Sequence, residues 1–243
     1  MTQQAPTNNY RSINFSKLTD TIAGLAIRVS ERFSDSNLAE ICLELKAIAM
    51  ECESRAQLIG QPILSIRYCI AVLVIGVLYL LISSLSLVEL DYRALNFLEL
   101  TQLTETLANG IILVGASLYF LLSIEARLKR FKALNALHEL RSMAHIIDML
   151  QLTKDPIMYT PDAARTAHSP RRELSPFELN RYLDYCTETL SLIGKLAAIY
   201  SERLPDAEIV TAANEIEILC ASMSRKIWQK MSMITPGHVS LAD

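Results

Sequence analysis

A chain of 243 residues can form one large domain or two small ones, and its 51% hydrophobic and 20% charged residues depart only mildly from a soluble average. Seven glycines and the absence of alternating β-branched runs argue against a sheet-rich fold, and a net charge of −3 leaves no electrostatic basis for nucleic-acid binding. Five scattered cysteines (Cys42, Cys52, Cys69, Cys186, Cys220) without a C-x-x-C pair do not make a disulfide framework or zinc site, and read as small buried hydrophobes in a reducing compartment.

The polar start, residues 1–14, has no apolar signal region and is expected to be disordered. Residues 15–62 predict a helical hairpin on the cytoplasmic side. Leu18, Ile22, Leu25 and Val29 repeat at 4-3-4 spacing, and "SDSN" is a turn. Asn37 then opens a second helix, with Glu40 as its capping-box partner. The stripe Leu38, Ile41, Leu45, Ile48 and Cys52 follows, and Gly60 and Pro62 end it.

Tyr68 to Val88 is 21 residues without a charge, roughly 31 Å as a helix against a hydrocarbon core of about 30 Å. Residues 63–88 therefore read as a first transmembrane helix. Residues 106–124 ("TLANGIILVGASLYFLLSI") read as a second, with 89–105 as an external loop between them. Lys and Arg lie at the outer ends: Arg55 and Arg67 before the first block, Arg127, Lys129, Arg130 and Lys132 after the second, with only Arg93 in the loop. That bias predicts a multi-pass hairpin with both termini in the cytoplasm. Gly76, Gly110 and Gly115, with Ser83, Ser84, Asn109 and Ser117, are the candidate span-packing or pore-lining residues. The run "RLKRFK" supplies a candidate contact to lipid headgroups through Arg127, Lys129, Arg130 and Lys132.

No glycine or proline interrupts Ala116 to Asp155, so the second span should run on as a stalk helix over 125–152. His138, His145 and Asp148 share a face of it. They are the one arrangement with metal-ligand spacing, although a further ligand from another helix would be needed. Three prolines mark 153–175 as a linker. "SPFE" restarts the helix with Ser175 as N-cap, Pro176 in the first position and Glu178 closing a capping box. A second cytoplasmic hairpin over 176–234 carries two heptads: Leu179, Leu183, Cys186, Leu190, Ile193, Ala197 and Tyr200, then Ile209, Ala213, Ile216, Cys220, Met223 and Ile227. Residues 235–243 form a C-terminal tail.

The stretches "HELRSMAHIIDMLQLTKDP", "LDYCTETLSLIGKLAAIY" and "KIWQK" resemble a family of uncharacterised bacterial two-span membrane proteins. The resemblance covers about residues 125–231, implies a bacterial inner membrane and transfers no catalytic residue.

The expected fold is all-α: a two-helix transmembrane hairpin plus a cytoplasmic helical bundle of about five helices. Phosphate-loop, dinucleotide-fold and serine-hydrolase signatures are absent, and no cofactor is implied. The function expected is that of a non-enzymatic, membrane-anchored scaffold. It self-assembles as a homo-oligomer, or recruits a cytoplasmic protein partner, at the face of the lipid bilayer. The alternative is a small oligomeric channel or pore-forming effector.

Overall fold

The computed structural model describes residues 12–87, 97–156, 168 and 174–234. They form six α-helices and, among the described residues, no strand: α1 (Phe15–Arg32), α2 (Asn37–Gly60), α3 (Leu64–Leu87), α4 (Phe97–Leu152), α5 (Pro176–Arg203) and α6 (Ala207–Ile234). Most of the N-terminal segment, residues 88–96 of the expected external loop, nearly all of the expected linker and the C-terminal tail lie outside the described residues. The chain divides into two compact units, residues 1–60 with 132–243, and residues 61–131.

The first unit has one hydrophobic core. α1, α2, the last part of α4, α5 and α6 all contribute to it. α1 buries Leu18, Ile22, Leu25 and Val29, the stripe read from its spacing. The Asn14 side chain accepts a hydrogen bond from the Lys17 N–H and caps its start. The cap of α2 is Ser36, one residue earlier than expected. Its hydroxyl accepts from the Ala39 N–H at 3.2 Å and donates to the Phe33 carbonyl at 2.8 Å. Asn37 is thus the first helical residue, and Glu40 sits one place too late to close a box. The buried stripe of α2 is also rotated: Leu38, Cys42, Leu45, Ala49 and Cys52 face inward, while Ile41 and Ile48 pack half-buried at its edge.

α5 is the central helix. Ser175 and Glu178 form the reciprocal capping box, and both heptads on α5 and α6 are buried as the spacing requires. On α5 the burial goes further, because Tyr182, Tyr185, Thr189, Leu192, Leu196 and Ile199 are inside as well. α1, α2 and α6 all pack against it. Cys42 on α2 lies 3.6 Å from the Thr189 hydroxyl, and Arg28 on α1 pairs with Glu188 at 2.7 Å. Phe33 meets the rings of Tyr182 and Tyr185 edge-on, a geometry that aromatic quadrupoles favour. The two N-terminal helices therefore bury their stripes within their own chain.

The second unit holds α3 and the first part of α4. α4 begins at Phe97, so residues 97–105, expected as part of a loop, are helical. Nothing in "FLELTQLTE" breaks a helix: it has no Gly or Pro, and Leu, Glu and Gln are good helix formers. α4 is 56 residues long, about 84 Å.

Candidate functional site

Unit 61–131 presents its apolar side chains outward. In a water-soluble helix the large apolar residues collect on one stripe and are covered. Along α3, Tyr68, Ile75, Tyr79 and Ile82 are exposed, Tyr68 at 72%. Along α4, Ile111, Ile112, Leu113, Tyr119 and Phe120 are exposed, Tyr119 at 76%. α4 is long and apolar enough to cross a membrane, in a stretch that starts at Ala108, and almost none of its most apolar window is buried. α3 carries a shorter, mainly apolar stretch, Leu64–Val77, within a helix of 24 residues. One helix, rather than two, therefore meets the length and composition of a span among the described residues.

Cys69 departs from the expectation that all five cysteines are buried. Cys42, Cys52, Cys186 and Cys220 are inside the core, whereas Cys69 is exposed. It lies on α3, which has no core side to turn it towards. Burial pushes the thiols of Cys42 and Cys186 up, and that of Cys220 up to about 11, so none of the three is an activated nucleophile.

The small and polar residues singled out in the two expected spans are placed individually. A Cβ added at Gly76, Gly110 or Gly115 would meet nothing within 4 Å, so these glycines do not mark a close approach among the described residues. The Ser117 hydroxyl donates to the Leu113 carbonyl at 2.8 Å, within its own helix. Asn109 is exposed and Ser83 is half-buried. The side chain of Ser84 lies outside the described residues.

The charged rim is more specific than the basic run alone suggests. Glu125, immediately after the apolar block, is only 7% exposed. Its carboxylate accepts the Ile63 N–H at 3.2 Å, and Ile63 directly precedes the first residue of α3. It therefore caps a helix to which it does not belong, at the end where free N–H groups and the helix dipole favour an anion. Lys129 Nζ lies 2.9 Å from the same carboxylate, and Arg67 Nε 3.7 Å from its other oxygen. The Lys129 bond first, with the Ile63 N–H, holds the Glu125 carboxyl below its ordinary range. Lys129 is thus turned to Glu125, while Arg127 and Lys132 are exposed.

His138 and His145 are both exposed. Asp148 accepts a hydrogen bond from the Gln151 side chain at 2.8 Å. Among the described residues no group of three or more His, Cys, Asp or Glu could hold a metal ion. A cavity of about 470 Å³ in the first unit lies between the α1–α2 turn and the end of α4, lined by Arg32, Ser36, Lys154 and Tyr182 among others. Asp35 lies in the same wall, so the two cations there are partly offset.

The fold and this surface define a class: an all-helical protein, one of whose helices is apolar enough to span a bilayer. Comparison with protein-family models, curated proteins and solved structures gives no match.

Proposed function

We propose that the chain is a two-span integral membrane protein that works as a non-enzymatic scaffold, self-assembling or recruiting a protein partner at the cytoplasmic face. The observation that supports this is the opposition between the units. One covers nearly every large side chain on its heptads, and the other exposes Tyr68, Ile75, Ile111 and Tyr119 on helices without a polar side. An uncharged helical surface of that kind fits acyl chains, which need no polar face. In this reading α3 and α4 both cross, since the uncharged run of 21 residues at Tyr68–Val88 has the length of a span. Arg67, Arg127, Lys129, Arg130 and Lys132 mark the cytoplasmic rim, and both termini lie on that side. Exposed Arg127 and Lys132 face anionic headgroups, each contributing about 1 kcal/mol.

In-membrane crosslinking of the whole chain, followed by identification of what is linked, tests the reading. Self-linked species or a specific partner support it. A carbonate-extractable protein, or a strict monomer that captures nothing, overturns it. A second reading, an oligomeric pore, is favoured by exposed Asn109 in an otherwise apolar stretch, because a polar amide facing lipid costs free energy unless it faces water or a partner. Ion flux in liposomes decides it: absence of conductance at any protein density sinks the pore.

A further inference from the structure

The cavity beside the α1–α2 turn is built by segments far apart in sequence. Residues 32–37 form one wall, the end of α4 supplies Leu150, Thr153 and Lys154, and the start of α5 supplies Tyr182. Its volume of about 470 Å³ lies within the range of small-molecule sites, roughly 300–1,000 Å³. Part of the lining is apolar. Phe33 and Tyr182 meet edge-on at 5.5 Å, and Leu150 and Leu174 join them. The charged part is unequal in sign, with Arg32 and Lys154 set against Asp35 alone. Asp35 already accepts from the Ser34 hydroxyl at 3.3 Å. The Arg32 guanidinium lies over the Phe177 ring at 5.9 Å and forms no ion pair among the described residues. Lys154 Nζ lies over the Tyr182 ring at 5.6 Å. Tyr182 is the deciding group. It is 4% exposed, yet its hydroxyl has no hydrogen-bond partner among the described residues and is not one of the sealed polar atoms of the core. Buried phenols normally find a partner, and the space open to this one is the cavity.

We propose that this cavity binds a phosphate monoester with a small apolar body. The terminal oxygens of such an ester accept from a guanidinium, an ammonium and a phenol at once, whereas a carboxylate offers only two oxygens. The first turn of α2, with Asn37 in the wall, adds a helix start that favours negative charge. Leu150, Leu174 and the edge of Phe33 take the carbon body of the ester. Every lining residue belongs to the first unit, so the site goes beyond the scaffold reading and stands whether or not the second unit enters a bilayer.

Isothermal titration calorimetry of the full-length chain in a neutral detergent tests the site, with phenyl phosphate and benzoate as probes. Phenyl phosphate should bind with a dissociation constant below about 1 mM and about tenfold more tightly than benzoate. Arg32→Gln should weaken it about tenfold. Tyr182→Phe keeps the ring against Phe33 and removes only the hydroxyl, and should weaken it about threefold to tenfold. Arg203→Gln, which removes an exposed cation at the far end of α5, should leave binding unchanged. Phosphatidic acid in the same micelles separates two sources of the ester: displacement of phenyl phosphate supports a lipid headgroup, and failure to displace it supports a soluble ligand. Benzoate binding as tightly as phenyl phosphate overturns the phosphate assignment. Equal affinity in all three variants, or no heat with phenyl phosphate at millimolar concentration, overturns the site.

Discussion

α3 and α5 are of similar length and both are rich in leucine and isoleucine, yet the protein treats them oppositely. On α5 the apolar residues follow a heptad, Tyr182 and Tyr185 are among the further interior residues, and Glu188 and Arg181 sit where partners reach them. Tyr185 is flanked by the guanidinium groups of Arg28 and Arg181, which lets one ring serve both core and surface. On α3 the apolar residues lie on all sides and meet no core. A helix is therefore not assigned its environment by how apolar it is. What decides is whether its apolar residues repeat at a period that a neighbouring helix can match, or are distributed so that only a low-dielectric solvent can satisfy them.

Truncation should separate the two helices most sharply. Leu183→Ala removes a fully buried side chain from α5 and should cost about 2–5 kcal/mol in denaturant unfolding. Leu80→Ala on α3, whose side chain is 66% exposed, should cost well under half of that in the same assay. A comparable loss at Leu80 would mean that α3 has a packed partner. A charge reverses the order of sensitivity. Leu113→Arg on α4 should raise the apparent cost of membrane insertion by about 2.5–3.5 kcal/mol in a translocation assay, through its deep position. An arginine at exposed Val210 on α6 should leave folding within about 0.5 kcal/mol of the original.

The two helix starts offer a finer comparison, because each is capped by a carboxylate but from different distances in sequence. Ser175→Ala breaks a local box and should cost about 1 kcal/mol, read as a drop in thermal midpoint. Glu125→Gln weakens a long-range cap, and the readout is faster hydrogen exchange at the Ile63 amide. The pH dependence follows from the lowered folded value of Glu125. Its contribution is complete above the ordinary carboxyl value of 4.5 and is lost as pH falls from there through the lower folded value. In Glu125→Gln that acid-linked part of the exchange profile should disappear. An unchanged profile would show that the Ile63 contact carries no weight.

Local features were legible in the sequence, and long-range ones were not. The Ser175–Glu178 box, the heptads of α5 and α6 and the break at Gly60–Pro62 all depend on neighbours within a turn or two, and each appears as written. The cap of α2 differs by one residue from the expected one because Ser36 and Asn37 are both good caps, and only the backbone geometry distinguishes them. The rotation of its stripe brings Cys42 against Thr189 of α5, a contact between helices that spacing within α2 does not carry. The exposure of Cys69 is not legible from residue type alone. Glu125 carried one local signal, Lys129 four residues on, but its capping of α3 joins positions 62 residues apart. The ion pairs of Glu139 with Arg55 and of Arg141 with Glu215 likewise join α4 to other helices and leave no mark in local spacing.

The first unit is discontinuous in sequence: residues 1–60 and 132–243 share one core, with the apolar segment between them. This imposes an order on biosynthesis. α1 and α2 leave the ribosome first, with Leu18, Ile22, Leu38 and Leu45 uncovered, and cannot complete their burial until α5 and α6 have been made. At synthesis rates of about 5–20 residues per second that interval lasts on the order of ten seconds. The apolar segment emerges within it, before the interior of the first unit is closed. The N-terminal hairpin is the part of the molecule most dependent on protection during synthesis, although it ends up among the best buried.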